Sequence, residues 1–192
     1  MYMKYFLGVD TETGGISEET SLLTAYYGFY QLNNSKFTLL DDLDLKIKPN
    51  DGIYRVTSEG MNVNKINLIE HDKIAIYEKF AGQQLYKKLQ EWFVISKDKI
   101  VPVGHNVYFD INRTTDRLIS KGSWETFVSY RAMDTCTLAQ FYRICGKLPA
   151  DISCSLGHLA GYYKVQVTGK HHEAKCDVEM TMGVLENLMK NV

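Results

Sequence analysis

The sequence has no apolar run that could cross a membrane, because no window approaches the ~18 consecutive apolar residues that a spanning helix needs. It also has no signal-peptide pattern. A single lysine, Lys4, precedes a short apolar run over residues 5–9, and Asp10 and Glu12 follow at once. That run is shorter than the apolar region of a secretory signal, and no small-residue cleavage site follows it. We therefore expect a cytoplasmic protein without a membrane partner.

Cysteine is sparse, and its arrangement matches no disulfide or metal motif. No Cys-x-x-Cys pair occurs among the four residues, which are Cys136, Cys145, Cys154 and Cys176. Such a pattern favours free thiols in a reducing compartment over a disulfide framework. It agrees with the expected cytoplasmic location.

An excess of charge of one sign is also missing, since the formal net charge is −1 at pH 7. The chain therefore has no global basic field of the kind that indicates a nucleic-acid partner. Such a partner is not excluded, because a small site that binds metal ions has its own positive charge.

Internal repeats, low-complexity segments and linkers are absent as well. The chain has 192 residues, of which 45% are apolar and 23% charged. This composition is typical of a soluble globular protein, and the length fits one ordinary domain with a substantial core. We predict a single domain over residues 1–192.

The first apolar run ends in an unusual pair of charges. Residues 5–9, YFLGV, are typical of a buried strand, and Asp10 and Glu12 follow one residue apart. If the strand continues, both carboxylates lie on one face, since side chains alternate along a strand. Two such charges repel each other near an apolar core, and a divalent cation would reverse that cost. A polar turn helped by Gly14 and Gly15 is the alternative at this point.

The rest of the pattern predicts a mixed sheet with helices packed on it. Residues 5–9, 22–32 and 37–48 are apolar or alternating and are joined by turns, which indicates an antiparallel meander. Residues 53–75 have no sustained period and stay unassigned. Further strands are predicted over residues 100–103 and 127–133, and helices over 76–95, 108–119, 135–145, 155–163 and from about 174. We expect an α/β fold with a five-stranded sheet, in which the first three strands are antiparallel and helices cover both faces.

Four carboxylates and one histidine lie close to the predicted ends of elements. Asp10 and Glu12 end the first strand, and Asp110 follows the fourth. Asp177 lies early in the final helix, five residues after His172. Because sites in open α/β sheets form beyond the carboxyl ends of the strands, these residues indicate metal-assisted hydrolysis.

Three short motifs, in order along residues 10–177, resemble those of the DEDDh 3′→5′ exonucleases, the DnaQ-like group with a ribonuclease-H-like fold. They are VDTET with Asp10 and Glu12, GHNVYFD with His105, Asn106 and Asp110, and HEAKCD with His172 and Asp177. A sister subgroup has tyrosine in the third motif, where this chain has Glu173, so the histidine version is favoured. The pair Asp134-Thr135 is also similar to the family. One departure is Gly14, where relatives often have threonine.

The resemblance implies a mechanism with two divalent cations, Mg²⁺ or Mn²⁺, that clamp the attacking and leaving oxygens of a phosphodiester. It implies that Asp10 contacts both ions, that Glu12 and Asp177 hold the ion beside the attacking water, and that Asp110 holds the other. His172 would then take the proton from that water as general base. Its neighbour His171 is the alternative base, although it lies six residues before Asp177, one more than the motif requires.

The expected substrate is nucleic acid with a free 3′ end, with DNA favoured over RNA, which the enzyme would shorten to nucleoside 5′-monophosphates. Thr11, Thr13, His105 and Asn106 are the residues predicted to contact the terminal nucleotide. Lysines near the third motif, which are Lys164, Lys170 and Lys175, are candidates for phosphate contacts or for plain solvated surface.

Three alternatives stay open at this point. The first is a binding module that has lost its chemistry, although no carboxylate of the motifs is missing. The second is a proofreading subunit with a polymerase as partner. The third is an RNA-trimming enzyme of the same family, because contacts to a 2′-hydroxyl depend on pocket shape.

Overall fold

The protein is described by a computed structural model that covers residues 4–167 and 173–190. Its sheet begins with an antiparallel meander of three long strands, β1 (Lys4–Thr13), β2 (Leu22–Asn33) and β3 (Lys36–Lys48). Both hairpin connections are short, and β1 pairs with β2 along nearly its whole length. The predicted meander is therefore confirmed.

Three short parallel strands complete the sheet. They are β4 (Ile76–Tyr77), β5 (Val101–Gly104) and β6 (Met133–Asp134). Strand β5 pairs parallel with β1, β6 pairs parallel with β5, and β4 lies at the far edge against β3. The order across the sheet is β4-β3-β2-β1-β5-β6. This order places β1 centrally, between its antiparallel and its parallel neighbours.

Eight helices occur in the described ranges. They are α1 (Ser58–Asn64), α2 (Leu68–Ile74), α3 (Glu78–Ser96), α4 (Val107–Arg117), α5 (Lys121–Phe127), α6 (Thr135–Ile144), α7 (Leu156–Tyr162) and α8 (Ala174–Lys190). No helix among these combines the length and the apolar character that crossing a membrane requires.

Helices cover both faces of the sheet, as the alternation along β1 requires. Leu7 and Val9 are buried on the face that packs against α3, α4 and α5. Phe6 is buried on the opposite face, together with Val178 and Met182 of α8. Full burial of a side chain of this size stabilises the fold by about 1.5–3 kcal/mol. Helices α6 and α7 pack in turn against α8.

One glycine lets α8 lie close to β1. A Cβ atom built on Gly8 would be 2.5 Å from Cγ1 of Val178 and 3.1 Å from Cε2 of Tyr30. A side chain at this position would therefore push the helix away from the strand. Since Asp177 precedes Val178, the same close approach carries that carboxylate to the end of β1.

The structure corrects the sequence-based prediction in three places. The sheet has six strands and not five, because Ile76 and Tyr77 form β4 ahead of α3. The unassigned stretch 53–75 contains α1 and α2. The strand predicted over residues 127–133 is much too long: Phe127 ends α5, Val128 makes only an isolated bridge with Ile100, and of the predicted range only Met133 lies in β6.

Two physical reasons account for these corrections. Phe127 and Val128 are buried in the core, and a short buried apolar run has the same pattern in a helix end as in a strand. Helices α1 and α2 are each one to two turns long and expose most of their residues. Such helices show too little apolar periodicity to be found from sequence.

Candidate active site

Three carboxylates meet where β1 ends. Asp10 and Glu12 lie on one face of β1, and Asp177 reaches them from the first turn of α8. One oxygen of each side chain lies within 4.8 Å of the others. Oxygen atoms at such distances are suitable ligands for one hard divalent cation. The arrangement thus brings together three of the residues that the sequence predicts as metal ligands.

The fourth carboxylate, Asp110, is tied to β1 by the residue between Asp10 and Glu12. Its Oδ1 accepts hydrogen bonds from the backbone N–H of Thr11 at 2.9 Å and from the Thr11 hydroxyl at 2.6 Å. Asp110 lies in the first turn of α4 and is 4% exposed. It is therefore held beside the three-carboxylate group, although it is not one of its members.

Burial and mutual repulsion make these carboxylates resist ionisation. The pKa of Glu12 is raised to about 8 by burial first and then by the charges of Asp177 and Asp110. The pKa of Asp10 is raised well above its ordinary value by burial, then by Asp110, Asp177 and Glu12. Burial raises the pKa of Asp110 to about 7 against the lowering effect of its Thr11 hydrogen bonds. Without a cation the cluster therefore holds protons that a bound cation would displace.

The turn after β5 presents His105 and Asn106 beside this cluster. Asn106 has φ 60° and ψ 41° at the start of α4, a left-handed conformation that asparagine adopts readily. Its backbone N–H donates to Oδ1 of Asp134 at 3.0 Å, and the N–H of Cys136 donates to the same oxygen at 2.9 Å. Asp134 therefore connects the ends of β5 and β6 and fixes the turn.

His105 is oriented by the residue that follows Asp134. A hydrogen bond of 2.9 Å joins Nδ1 of His105 to Oγ1 of Thr135. Burial lowers the pKa of His105, while the charge of Asp134 opposes this. The Asp134-Thr135 pair that resembles the exonuclease family thus supports both His105 and Asn106.

The two threonines predicted to contact substrate have their hydroxyls engaged within the protein. The Thr11 hydroxyl donates to Asp110, and the Thr13 hydroxyl donates to the carbonyl of Gly15 at 2.7 Å. Both side chains are buried. The Thr13 carbonyl also accepts from Nδ2 of Asn64 at 2.9 Å, which connects α1 to the end of β1. A contact of either residue with substrate stays a prediction.

The predicted general base is not among the described residues. His172, its alternative His171 and Lys170 all fall between residues 167 and 173, outside the described ranges. The described chain resumes at Glu173, whose carbonyl accepts the N–H of Asp177 at 3.0 Å.

A cavity of about 660 Å³ opens beside the carboxylates. It is lined by Asp10, His105, Ser155, Leu156, Gly157, His158 and Asp177. Sequence reasoning missed Ser155 and His158, which lie at the start of α7. Their spacing of three residues at a helix start places them on one face, and this signal could have been read from the sequence.

A third residue that the sequence-based prediction missed is Arg113 of α4, which holds the loop after β1. Its guanidinium donates to the carbonyls of Ile16 and Ser17, each at 2.8 Å, and lies 4.9 Å from the ring centre of Phe109. Arg113 is buried, whereas Ile16 is 91% exposed. The loop that follows β1 is thus fixed, and the apolar side chain of Ile16 on it is exposed to solvent.

Several solved structures have the same architecture as this chain. E. coli exonuclease I in complex with a dT13 oligonucleotide aligns with a TM-score of 0.71 and 16% identity over 98% of this chain and 41% of its own. Exonuclease I from Methylocaldum szegediense aligns with a TM-score of 0.74 and 14% identity over 97% of this chain and 40% of its own. The chain has the ribonuclease-H-like fold of the DnaQ-like exonucleases. This fold includes the central mixed sheet on which Asp10 and Glu12 lie.

The same DnaQ-like fold occurs in cell-death related nuclease 4 (CRN-4), with a TM-score of 0.64 and 14% identity over 98% of this chain and 64% of that one. The chain spans about two fifths of the length of the exonuclease I chains. No protein-family model and no curated protein sequence matches it. Sequence identities of 14% and 16% establish a shared fold and nothing about chemistry.

Proposed function

We propose that the protein is a metal-dependent 3′→5′ exonuclease that releases nucleoside 5′-monophosphates from nucleic acid. One observation carries the proposal: carboxylates from β1, α4 and α8 converge at the end of β1 on a DnaQ-like fold. A structural role alone does not account for these carboxylates. Several like charges that are buried together destabilise the folded protein unless they bind a cation.

The donor set fits divalent cations of the hard class, Mg²⁺ or Mn²⁺. Asp10, Glu12 and Asp177 would hold one ion, and Asp10 and Asp110 would hold the second. Two such ions supply positive charge where the attacking and leaving oxygens of a phosphodiester develop negative charge. The pKa values of Asp10 and Glu12, raised by burial and then by repulsion, support this assignment, since a cation at this position would favour the ionised carboxylates.

Residues of the chain would do the remaining work. Thr11 keeps Asp110 in place through its hydroxyl and backbone N–H. His105 and Asn106, fixed by Asp134 and Thr135, would contact the terminal nucleotide. His172 would accept the proton of the attacking water at an imidazole nitrogen, because its unperturbed pKa is close to neutrality.

We further propose single-stranded DNA as the substrate. Exonuclease I structures hold dT13 and 5cy-dA13 oligonucleotides, and their fold covers nearly all of this chain. The cavity of about 660 Å³ next to the carboxylates offers room for the end of a strand. The loop that follows β1 carries the exposed apolar side chain of Ile16, which suits contact with the flat face of a base.

One assay tests the function. The wild-type protein is incubated with single-stranded DNA or RNA labelled at the 5′ or the 3′ end, in Mg²⁺, Mn²⁺ or EDTA. We expect stepwise shortening from the 3′ end, faster on DNA, that EDTA abolishes. Activity that persists in EDTA, or cleavage of a circular strand, would contradict the proposal. Shortening of RNA alone would instead support the RNA-trimming alternative.

A pair of neighbouring histidines tests the choice of base. His172→Ala should lower kcat by about 10²–10⁴, the contribution of a positioned general base. His171→Ala is the matched control and should retain the wild-type rate within about threefold, because this histidine lies one residue outside the spacing of the motif. The reverse result would move the base to His171.

A further inference from the structure

The cavity beside the carboxylates has a second polar group that the proposed chemistry does not use. Ser155 and His158 lie at the start of α7, and both line the cavity together with Asp10 and Asp177. Both side chains are exposed. They are therefore available to a ligand that enters beside the metal-binding carboxylates.

Three side chains form a hydrogen-bonded chain that ends at the cavity. The hydroxyl of Ser153 donates to Oγ of Ser155 at 3.3 Å, and Oγ of Ser155 lies 2.8 Å from Nδ1 of His158. Either atom of the contact between Ser155 and His158 can be the donor. In the tautomer in which Nδ1 accepts the Ser155 hydrogen, the neutral imidazole of His158 carries its own hydrogen on Nε2 and presents it as a donor.

The Ser155 side chain does not make the helix-cap hydrogen bond that is usual at its position. It occupies the cap position of α7, where a serine side chain usually accepts a hydrogen bond from a backbone N–H of the first turn. No such cap bond is formed by Ser155 within the described residues. The serine hydroxyl instead contacts and orients the histidine ring.

The polar side chains that line the cavity indicate which group of a ligand can bind there. Its charged residues are the carboxylates Asp10 and Asp177, which repel a phosphodiester and hold no donor for its oxygens when ionised. A strand that enters needs hydrogen-bond donors on the wall away from the ions. An imidazole N–H is such a donor, and phosphate oxygens are the usual targets of polar side chains that position nucleic acid.

We propose that His158, oriented by Ser155, donates a hydrogen bond from Nε2 to a phosphodiester oxygen of the bound strand next to the carboxylate cluster. This inference rests on the proposed exonuclease function and adds a positioning pair to it. His158 fixes the strand, and Ser155 acts only through His158. The pair should therefore govern KM and binding affinity more than kcat.

Steady-state kinetics on a single-stranded DNA 12-mer provide the first test. His158→Ala should raise KM about tenfold, the effect of losing a hydrogen bond to a charged group, and should change kcat by less than about threefold. Tyr162→Phe is the control, because it removes a polar group from the same helix outside the cavity lining. An unchanged KM in His158→Ala overturns the inference, whereas a loss of kcat at constant KM would make His158 part of the chemical step.

A second measurement separates a phosphate contact from a structural effect. Fluorescence anisotropy with Ca²⁺ gives the affinity for 12-mers in which one linkage at a time is an uncharged methylphosphonate. Wild type should lose affinity most at one linkage near the 3′ end, and His158→Ala should show no extra loss at that linkage. Equal losses at every linkage in both proteins would overturn the contact.

Ser155 is tested through the double variant. Ser155→Ala should weaken binding less than His158→Ala, and Ser155→Ala combined with His158→Ala should bind like His158→Ala alone, since both act through one contact. Additive losses would show that Ser155 acts independently and would overturn its assigned role.

The outcomes for the two proposals are distinguishable. If wild type shortens the strand but His158→Ala binds and turns over normally, the function stands and the phosphate contact fails. If wild type binds the 12-mer without shortening it, the exonuclease function fails, and the anisotropy comparison still decides the role of His158. A wild type that neither binds nor shortens the 12-mer overturns both.

Discussion

The hydroxyl of Thr11 donates a 2.6 Å hydrogen bond to Oδ1 of Asp110 across 99 residues of sequence. The backbone N–H of Thr11 donates to the same oxygen. The residue between the two strand carboxylates thus holds the helix carboxylate, so that four acidic side chains share one location. Removing this connection should change how Asp110 binds a cation.

Thr11→Val keeps the shape of the side chain but removes the hydroxyl. The pKa of Asp110 should rise further, because the Thr11 hydroxyl lowers it. We expect the Mg²⁺ concentration that gives half-maximal exonuclease rate to rise about 10–100-fold, the usual effect of losing a group that orients a metal ligand. Thr11→Ser, which keeps the hydroxyl, should behave like wild type. Equal Mg²⁺ requirements for the two variants would contradict this role.

The metal-free protein should lose stability as the pH rises. Glu12 has a pKa of about 8 in the folded protein, against an ordinary value of 4.5, so the folded state holds a proton that the unfolded state has released. Stability should therefore fall between about pH 5 and about pH 8. Melting temperatures in EDTA across this range measure the effect.

Two controls accompany the pH series. Saturating Mg²⁺ should raise the melting temperature most at the high-pH end, because the cation binds the ionised cluster of the folded state. Asp10→Asn should flatten the pH dependence, since it removes a carboxyl group whose own pKa is raised in the folded protein by burial and by its acidic neighbours, and should abolish turnover. A metal-free melting temperature that rises steadily from pH 5 to pH 8 would be incompatible with the repulsion described.

Arg113→Ala should loosen the loop after β1. The guanidinium holds the carbonyls of Ile16 and Ser17, so its loss releases the segment that directly follows the strand of Asp10 and Glu12. We expect KM for single-stranded DNA to rise about tenfold and kcat to change little, as for lost uniform binding. Arg143→Ala, an exposed arginine on α6, is the matched control. An unchanged KM would show that the loop does not contact substrate.

Gly8→Ala should separate α8 from β1. The added Cβ meets Val178 at 2.5 Å, and overpacking of this kind destabilises a protein by about 1–3 kcal/mol. Asp177 moves with α8, so activity should fall as well. Gly122→Ala on α5 is the control, because its Cβ would meet no atom within 4 Å. Urea unfolding of both variants checks the prediction, and equal stabilities would refute it.

Local pattern in the sequence was sufficient for much of the fold. The meander β1–β3 and helices α3, α4, α6, α7 and α8 follow from apolar periodicity and turn residues, because each is long enough or sharply enough bounded to show its period. The short parallel strand β4 was not predictable in this way, and of β6 only Met133 lies within the strand predicted over residues 127–133. A strand of two residues is too short to show an alternating apolar pattern. Such a strand forms only because the backbone of a neighbouring strand is available for pairing.

The acidic residues and the elements that carry them could be predicted from sequence pattern alone: Asp10 and Glu12 at a strand end, Asp110 and Asp177 early in helices. The contacts that hold these residues together are visible only in the folded chain. The contact of Thr11 with Asp110, the packing of α8 over Gly8 and the place of His158 in the cavity each join residues far apart along the chain. Spacing along a sequence contains no information on such contacts, because they depend on the distance and orientation between packed elements.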